Sequence, residues 1–399
     1  MTTSTTTSVA TNDGSSREVL LDVVIAVHSP TRRVDRAVAS VLACRQARAI
    51  VVCHGVGIAT IADRLREGDV DPHDPRVRLL GFQDGQRSPT GPFTYGLEAA
   101  TSRWVALLGS DDTFARRALD RMLTVGEARG SDAVVAPLRQ GGSRLKNPLV
   151  RPTTSWRIRP LDPVRDRLAS RSAPLGILRR TTVERLGLRL TEGLRTGEDL
   201  EFSARLWFSG ARIDHVPSDP PYDIGTDATD RVTSAERALA DELGGVRGLA
   251  AQPWVADLPA PARRALAVTM LRVHVLAALA RRVDGAAAGP RVEGAAAGTS
   301  AGPVPADGGR WAHDEPALLG DVARAWVALA PGALAPLSRA DRDALDVVLA
   351  TPAPTATDLV AAAHRRAAAG RLATILPRSL AQLLDREGTL RRYVRYRLP

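Results

Sequence analysis

Two pairs of adjacent acids in this 399-residue chain have the residue types for group-transfer chemistry: Asp111-Asp112 in LLGSDDTF and Glu198-Asp199 in RTGEDLEFSARLWFSGARI. Two carboxylates at the carboxyl end of a strand are hard oxygen ligands for Mg²⁺ or Mn²⁺. Such ions take one or two protein carboxylates and complete their shell with substrate phosphates. A turn that caps a helix beginning at Ala115 accounts for the same pair without any metal. Glu198 and Asp199 open an amphipathic helix, where acids also favour the helix dipole. The chemical alternative has one carboxylate facing a cleft, ready to take a proton from an incoming hydroxyl.

The surrounding pattern supplies elements to position these acids. LLDVVIAV (20–27) is a continuous apolar, β-branched run and reads as a buried parallel strand. A helix follows, with Val34, Val38, Val41 and Leu42 on one face and Thr31 as the expected N-cap. Further strands are read at Ala49–Cys53, RVRLLGF, RWVALLG and SDAVVAPL, each separated from the next by a helix. The helix in GPFTYGLEAATS has Pro92 near its first turn, and Gly130 and Gly187 close two others. Alternation of this kind predicts an α/β domain with a mostly parallel sheet. Ligands bind such sheets at the carboxyl ends of the strands. His28-Ser29, His54-Gly55, Asp84-Gly85 and Asp111-Asp112 all fall there. The Arg- and Pro-rich stretch 139–171 reads as a loop insertion over that rim, and VPSDPPYDIGTDATDRVT as another loop. At least one of Trp207 and Phe208 reads as core and not as a sugar platform, and His215 reads as packing at a strand end.

Composition narrows the class. With 44% hydrophobic residues the chain can bury a large core. Aromatic residues are only 4%, which argues against a base-stacking sheet or an aromatic sugar-binding module. The formal charge of +10 favours anionic partners, but no nucleic-acid motif accompanies it, so nucleic acid is not an expected partner. Lys146 is the single lysine, a bias that fits a GC-rich genome better than a function. Cys44 and Cys53 form no metal knuckle and are expected as buried, reduced thiols in a cytoplasmic protein. The start, residues 1–18, has neither a basic nor an apolar leader segment and reads as a disordered tail.

The remainder changes character. A helical extension spans 236–284, a Gly/Ala/Pro-rich linker 285–310, and Ala-rich helices 311–399. The end places Leu380, Leu383, Leu384, Leu390, Val394 and Leu398 among Arg391, Arg392, Arg395 and Arg397. A basic amphipathic end of this kind suits peripheral contact with an anionic membrane at its inner face. A helix docked on its own domain with solvated arginines fits the same pattern.

VVIAVHSPTRRVDRAVASVL, LLGSDDTF and GILRRTTVERLGLRLTEGLRTGEDLEFSARLWFSGARIDHVP, in this order and spacing, resemble a family 2 glycosyltransferase of the GT-A fold. The resemblance covers about residues 19–235. It implies a GT-A domain, a mostly parallel sheet flanked by helices, that moves a sugar from a nucleotide-diphosphate donor to an acceptor hydroxyl with inversion, in cell-surface glycan synthesis. A glycan or a lipid-linked molecule is the implied acceptor, and Mn²⁺ or Mg²⁺ the implied cofactor. By the same resemblance Asp112 holds the metal and Asp111 contacts ribose or metal. Asp199 is the base, with Glu198 beside it near the acceptor. Val27, His28 and Ser29 line the nucleotide site. Arg87 and Arg231 are the weaker assignments, the first to the diphosphate and the second to a loop closing over the donor. Departures are present: Gly109 replaces the first acid of the Asp motif, Cys53-His54-Gly55 replaces the usual base-reading loop, and Phe93-Thr94 replaces an Arg-Asn. These departures keep a second reading open, a catalytically degenerate GT-A module that binds or scaffolds. A nucleotidyltransferase would need a Gly-rich phosphate loop after the first strand, and HSPTRR is not one.

Overall fold

The structure is a computed structural model that describes residues 18–145, 160–216, 220–226, 237–284 and 311–397. In chain order the first half contains β1 (Leu21–Val27), α1 (Val34–Leu42), β2 (Ala47–His54), α2 (Ile58–Glu67), β3 (Val77–Phe82), α3 (Thr90–Glu98) and β4 (Trp104–Gly109). It continues with β5 (Thr113–Phe114), α4 (Ala118–Arg129), β6 (Ala133–Val135), β7 (Leu138–Gln140), β8 (Ser143–Leu145), β9 (Gly176–Arg179), α5 (Arg180–Arg185), α6 (Leu200–Phe208), β10 (Ile213–His215) and β11 (Tyr222–Ile224).

Seven strands form one sheet in the order β10-β6-β9-β4-β1-β2-β3. All pairings are parallel except those of β9, which runs antiparallel to β4 and β6. The apolar runs are continuous because both faces are covered. Val23, Ile25 and Val51 point to the face packed by α1, α2 and α4, and Val24, Ile50 and Val52 to the face packed by α3 and α6. Asp22 is fully buried within β1 yet accepts from Arg48 at 2.7 and 2.9 Å and from the Thr101 and Ser102 amides. Burial alone would raise its pKa, but these donors outweigh it and hold the carboxyl below its ordinary value. Breaking such a buried pair costs about 3–5 kcal/mol.

A second, four-stranded sheet, β5-β11-β7-β8, lies where loops were expected. Leu138–Gln140 form β7, and Tyr222–Ile224 pairs with both β5 and β7, so the two loop expectations are corrected at these strands; residues 146–159, 217–219 and 227–233 of those stretches lie outside the described residues. Two helix starts are also corrected. Thr31 is not an N-cap: its hydroxyl and amide both bond the Ser29 hydroxyl, and α1 begins at Val34. No helix starts at Ala115, whose amide donates to the Pro221 carbonyl, and α4 begins after Arg117 in a left-handed conformation.

The helical part comprises α7 (Leu239–Glu242), α8 (Gly244–Ala250), α9 (Pro253–Ala256) and α10 (Ala260–Thr269), then a π-helical turn over Met270–Val275. It ends with α11 (Leu276–Asp284), α12 (Glu315–Leu329), α13 (Arg339–Val348), α14 (Ala356–Ala367), α15 (Arg371–Ile375) and α16 (Thr389–Arg397). Helices α7 to α14 share one core, and Leu200 and Ala204 of α6 belong to it. Helix α6 is thus buried on two sides: Phe202, Leu206 and Trp207 pack toward the sheet, Leu200 and Ala204 toward the helices. Among the described residues no helix is long and apolar enough to cross a membrane.

Candidate active site

The rim at the carboxyl ends of β1 to β4 gathers most of the anticipated polar residues. In register, Val27 of β1 lies beside Cys53 of β2, Ala26 beside Gly109 of β4, and His54 beside Phe82 of β3. Val27 is buried, Ser29 half-buried and His28 exposed at the end of β1. His54 shares a 2.8 Å hydrogen bond with Asp84, and Phe82 stacks on the half-exposed Tyr95 at 5.2 Å. Arg87 is exposed in the loop after β3. Arg231 lies outside the described residues.

Asp111 and Asp112 follow β4 in a turn closed by the Asp112 amide and the Gly109 carbonyl at 3.0 Å. The Asp111 carboxylate pairs with Arg32 at 3.1 Å, and Arg32 is almost fully buried. Asp112 accepts from the Tyr222 hydroxyl at 2.6 Å through Oδ2 and from the Gly225 amide at 2.8 Å through Oδ1. Tyr222 is buried against Phe114, and burial together with Asp112 pushes its hydroxyl pKa well above the ordinary value, so it donates. Close backbone approach fixes this arrangement: a Cβ on Gly225 would sit 2.0 Å from the Asp111 carbonyl oxygen. A Cβ on Gly109 would sit 2.7 Å from Asp112 Oδ2. Glycine at 109 therefore leaves the space that the Asp112 carboxylate occupies. Each carboxylate oxygen carries two lone pairs, so the donors on Asp112 orient it without exhausting it. The two carboxylates remain a fitting donor set for a hard divalent cation that completes its shell with phosphate oxygens. Among the described residues no cluster of three or more acids, histidines and cysteines would hold a metal by itself.

Glu198 and Asp199 are brought to the same rim by a different route. Helix α3 begins after the loop that follows β3, and its entry is bonded to the loop before Glu198. The Ser88 hydroxyl donates to the Leu194 carbonyl at 2.7 Å, and the Thr90 hydroxyl to the Thr191 carbonyl at 3.2 Å. Gly197 makes the turn at φ +75°, a conformation that glycine adopts without a Cβ penalty. Behind it, the Gly197 carbonyl presses against α8, where a Cβ on Gly245 would come within 2.5 Å. Asp199 stands at the N-cap position of α6 with helical dihedrals, and its side chain makes no capping bond. The carboxylate therefore does not cap α6, although its place at the helix start still favours the helix dipole.

The electrostatics set this pair apart. Burial, and then the neighbouring Glu198 charge, push the Asp199 carboxyl well above its ordinary value of 3.8. Burial also raises Glu198, and Arg237 offsets it only in part. A carboxyl with raised proton affinity is suited to receive a proton near neutrality.

Sequence reading missed Tyr222, Gly225, Arg32, Ser88 and Thr90 as supports of the site. It also missed Arg171, a fully buried guanidinium within electrostatic range of Tyr222, whose pKa burial lowers to about 9. Trp207 and Phe208 pack in the cores as read, and Trp207 Nε1 donates to the Arg171 carbonyl at 2.9 Å. Cys44 and Cys53 are buried and free, and burial raises their thiols to about 12 and about 11, so they remain protonated.

No protein-family model matches the chain. A 62-residue stretch, 16% of this chain, is 44% identical to the succinoglycan biosynthesis protein ExoO of Rhizobium meliloti (strain 1021). It spans only 18% of that relative's length. Solved structures of S. aureus TarS align far more broadly. TarS 1–349 in complex with UDP-GlcNAc matches 87% of this chain and 91% of its own, with TM-score 0.63 and 13% identity. The UDP complex of the same TarS fragment matches 87% and 90%, with TM-score 0.58 and 14% identity. The mostly parallel seven-stranded sheet flanked by helices, with a helical C-terminal region matched along with it, identifies the chain as a protein of the GT-A fold.

Proposed function

We propose that this protein is an inverting glycosyltransferase that moves a sugar from a nucleotide-diphosphate sugar to an acceptor hydroxyl in cell-surface glycan synthesis. The observation that carries the reading is the Asp199 carboxyl. It is desolvated, makes no capping bond, has raised proton affinity, and lies on the rim that also holds Asp111 and Asp112. The TarS complexes with UDP-GlcNAc and UDP support a nucleotide-sugar donor, and the name of the ExoO relative supports polysaccharide synthesis.

In this mechanism Asp199 accepts the proton of the acceptor hydroxyl as its oxygen attacks the anomeric carbon. The new C–O bond forms on the face opposite the bond that breaks, and the nucleoside diphosphate leaves with that bond's electron pair. Burial and then the neighbouring Glu198 charge raise the proton affinity of the base, and Arg237 acts on Glu198. Asp112, aided by Asp111, would hold Mn²⁺ or Mg²⁺, which would supply charge neutralisation for the departing diphosphate. Val27, His28 and Ser29 line the nucleotide end of the rim, and Arg87 and Arg231 are the candidate diphosphate contacts. The acceptor is a glycan or a lipid-linked molecule, reached from the cytoplasmic side.

The scaffold alternative rests on Gly109 and the altered base-reading loop. The close approach of Gly109 to Asp112 supplies a packing reason for that glycine and removes much of its weight.

The test is thermal stabilisation by UDP-, GDP-, dTDP- and CDP-sugars, with and without Mn²⁺, on wild type and Asp112→Ala. The expected result is a metal-dependent shift for one base that the variant loses. An absence of any shift across the panel favours the scaffold.

A further inference from the structure

Large exposed apolar side chains are few among the described residues, and four of the six lie within a 23-residue stretch near the end of the chain. They are Leu372, 72% exposed, Leu380, 66%, Leu384, 78%, and Val394, 45%. The backbone that carries them is not loose. The Arg339 amide donates to the Leu376 carbonyl at 2.8 Å, Arg272 to the Glu387 carbonyl at 2.8 Å, and Arg167 to the Arg386 carbonyl. Arg371 reaches across to the Tyr393 hydroxyl at 3.0 Å, and Arg391 to the Leu384 carbonyl at 3.3 Å, so α15, the Leu380–Leu384 turn and α16 are tied together. These leucines are held outward by a fixed scaffold, which is costly in water unless something covers them.

Charge says what covers them. From Arg371 to the end the sequence has seven arginines and two acids. Both acids are turned inward: Asp385 pairs with Arg264 at 3.0 Å, and Glu387 is 5% exposed. Of the arginines, Arg392 is buried, and Arg378 is spent on Asp343 and Asp346. Arg371, Arg386 and Arg391 stay exposed around the apolar side chains. A second copy of the chain would bring arginine against arginine. Anionic headgroups satisfy these arginines while the acyl boundary takes up the leucines.

We propose that residues 371–394 are the surface by which this protein lies on an anionic lipid bilayer. The proposal does not depend on the transferase reading, because it uses none of the residues at the rim.

Vesicle co-sedimentation of the full chain tests it, with phosphatidylcholine alone and with added phosphatidylglycerol. Binding is expected only with the anionic lipid and is weakened by salt. The pair Leu380→Ser and Leu384→Ser lowers the partition coefficient about tenfold or more. The pair Arg386→Gln and Arg391→Gln lowers it about fivefold per charge. All four side chains are exposed, so thermal unfolding should stay at the wild-type midpoint. Should the leucine pair fail to fold, the arginine pair still decides. Three results overturn the proposal: no sedimentation with anionic vesicles at low salt, partition unchanged in both pairs of variants, or light scattering showing a wild-type dimer that the leucine variants dissociate. Donor binding should be unaffected in every case, so failure here leaves the rim's assignment untouched.

Discussion

The two acid pairs share a rim and differ in nearly everything else. Asp111 and Asp112 are both held by donors, one by Arg32 and the other by Tyr222 and Gly225. Asp199 is desolvated, like-charged with its neighbour, and without a capping bond. The first pair is held in direction by its donors, as a ligand-holding group requires. The second is built to be uncomfortable when ionised, as a proton acceptor requires. One rim thus holds an oriented pair and a carboxyl of raised proton affinity, set apart by their surroundings and not by residue type.

The largest test of that contrast is Asp199→Asn. Turnover should fall about a hundredfold to ten-thousandfold, the usual contribution of a general base. The unfolding midpoint at neutral pH should not fall, because the substitution removes a destabilised charge. The sign follows from linkage: Glu198 and Asp199 have folded pKa values above the ordinary 4.5 and 3.8. Their stabilising contribution is complete below the ordinary values and is lost as pH rises through the raised ones. Differential scanning calorimetry across pH, beside turnover, reads both; a neutral-pH midpoint well below wild type would erase the contrast.

A smaller effect is expected from Tyr222→Phe, which deletes the donor on Asp112 Oδ2 while keeping the ring. The concentration of Mn²⁺ giving half-maximal turnover should rise about tenfold, in line with one hydrogen bond to a charged group, with little change in turnover at saturating metal. A metal titration of turnover checks it, and an unchanged midpoint would make Tyr222 a packing residue only.

Smallest is Glu198→Gln. Without the neighbouring charge Asp199 titrates lower, so the acid limb of kcat/KM moves toward lower pH while activity above neutrality changes little. A pH profile that keeps its acid limb in place would detach the base from its neighbour.

Legibility divided along element length. β1 to β4 were readable because strands of six to eight residues carry mostly apolar side chains and leave few alternatives, and the Asp pair after β4 came with them. The smaller sheet was not, because two- and three-residue strands such as β5 and β11 are too short to show a period. Tyr222 was hidden for that reason, inside a stretch whose prolines and aspartates spell loop. Thr31 misled because its sequence position suits a cap, yet the Ser29 hydroxyl two residues earlier captures it first. The Glu198-Asp199 motif was visible, but nothing local shows that its desolvation comes from helices far along the chain.

Those helices meet the turn that bears the acids backbone to backbone, the Gly197 carbonyl against Gly245, with Leu200 packed beside the contact. The protein therefore does not come apart into two interchangeable cassettes. A sheet domain cut out at its apparent boundary would keep every residue of the rim and lose the wall behind the turn. Inheritance of this chemistry requires both halves of the chain to travel together.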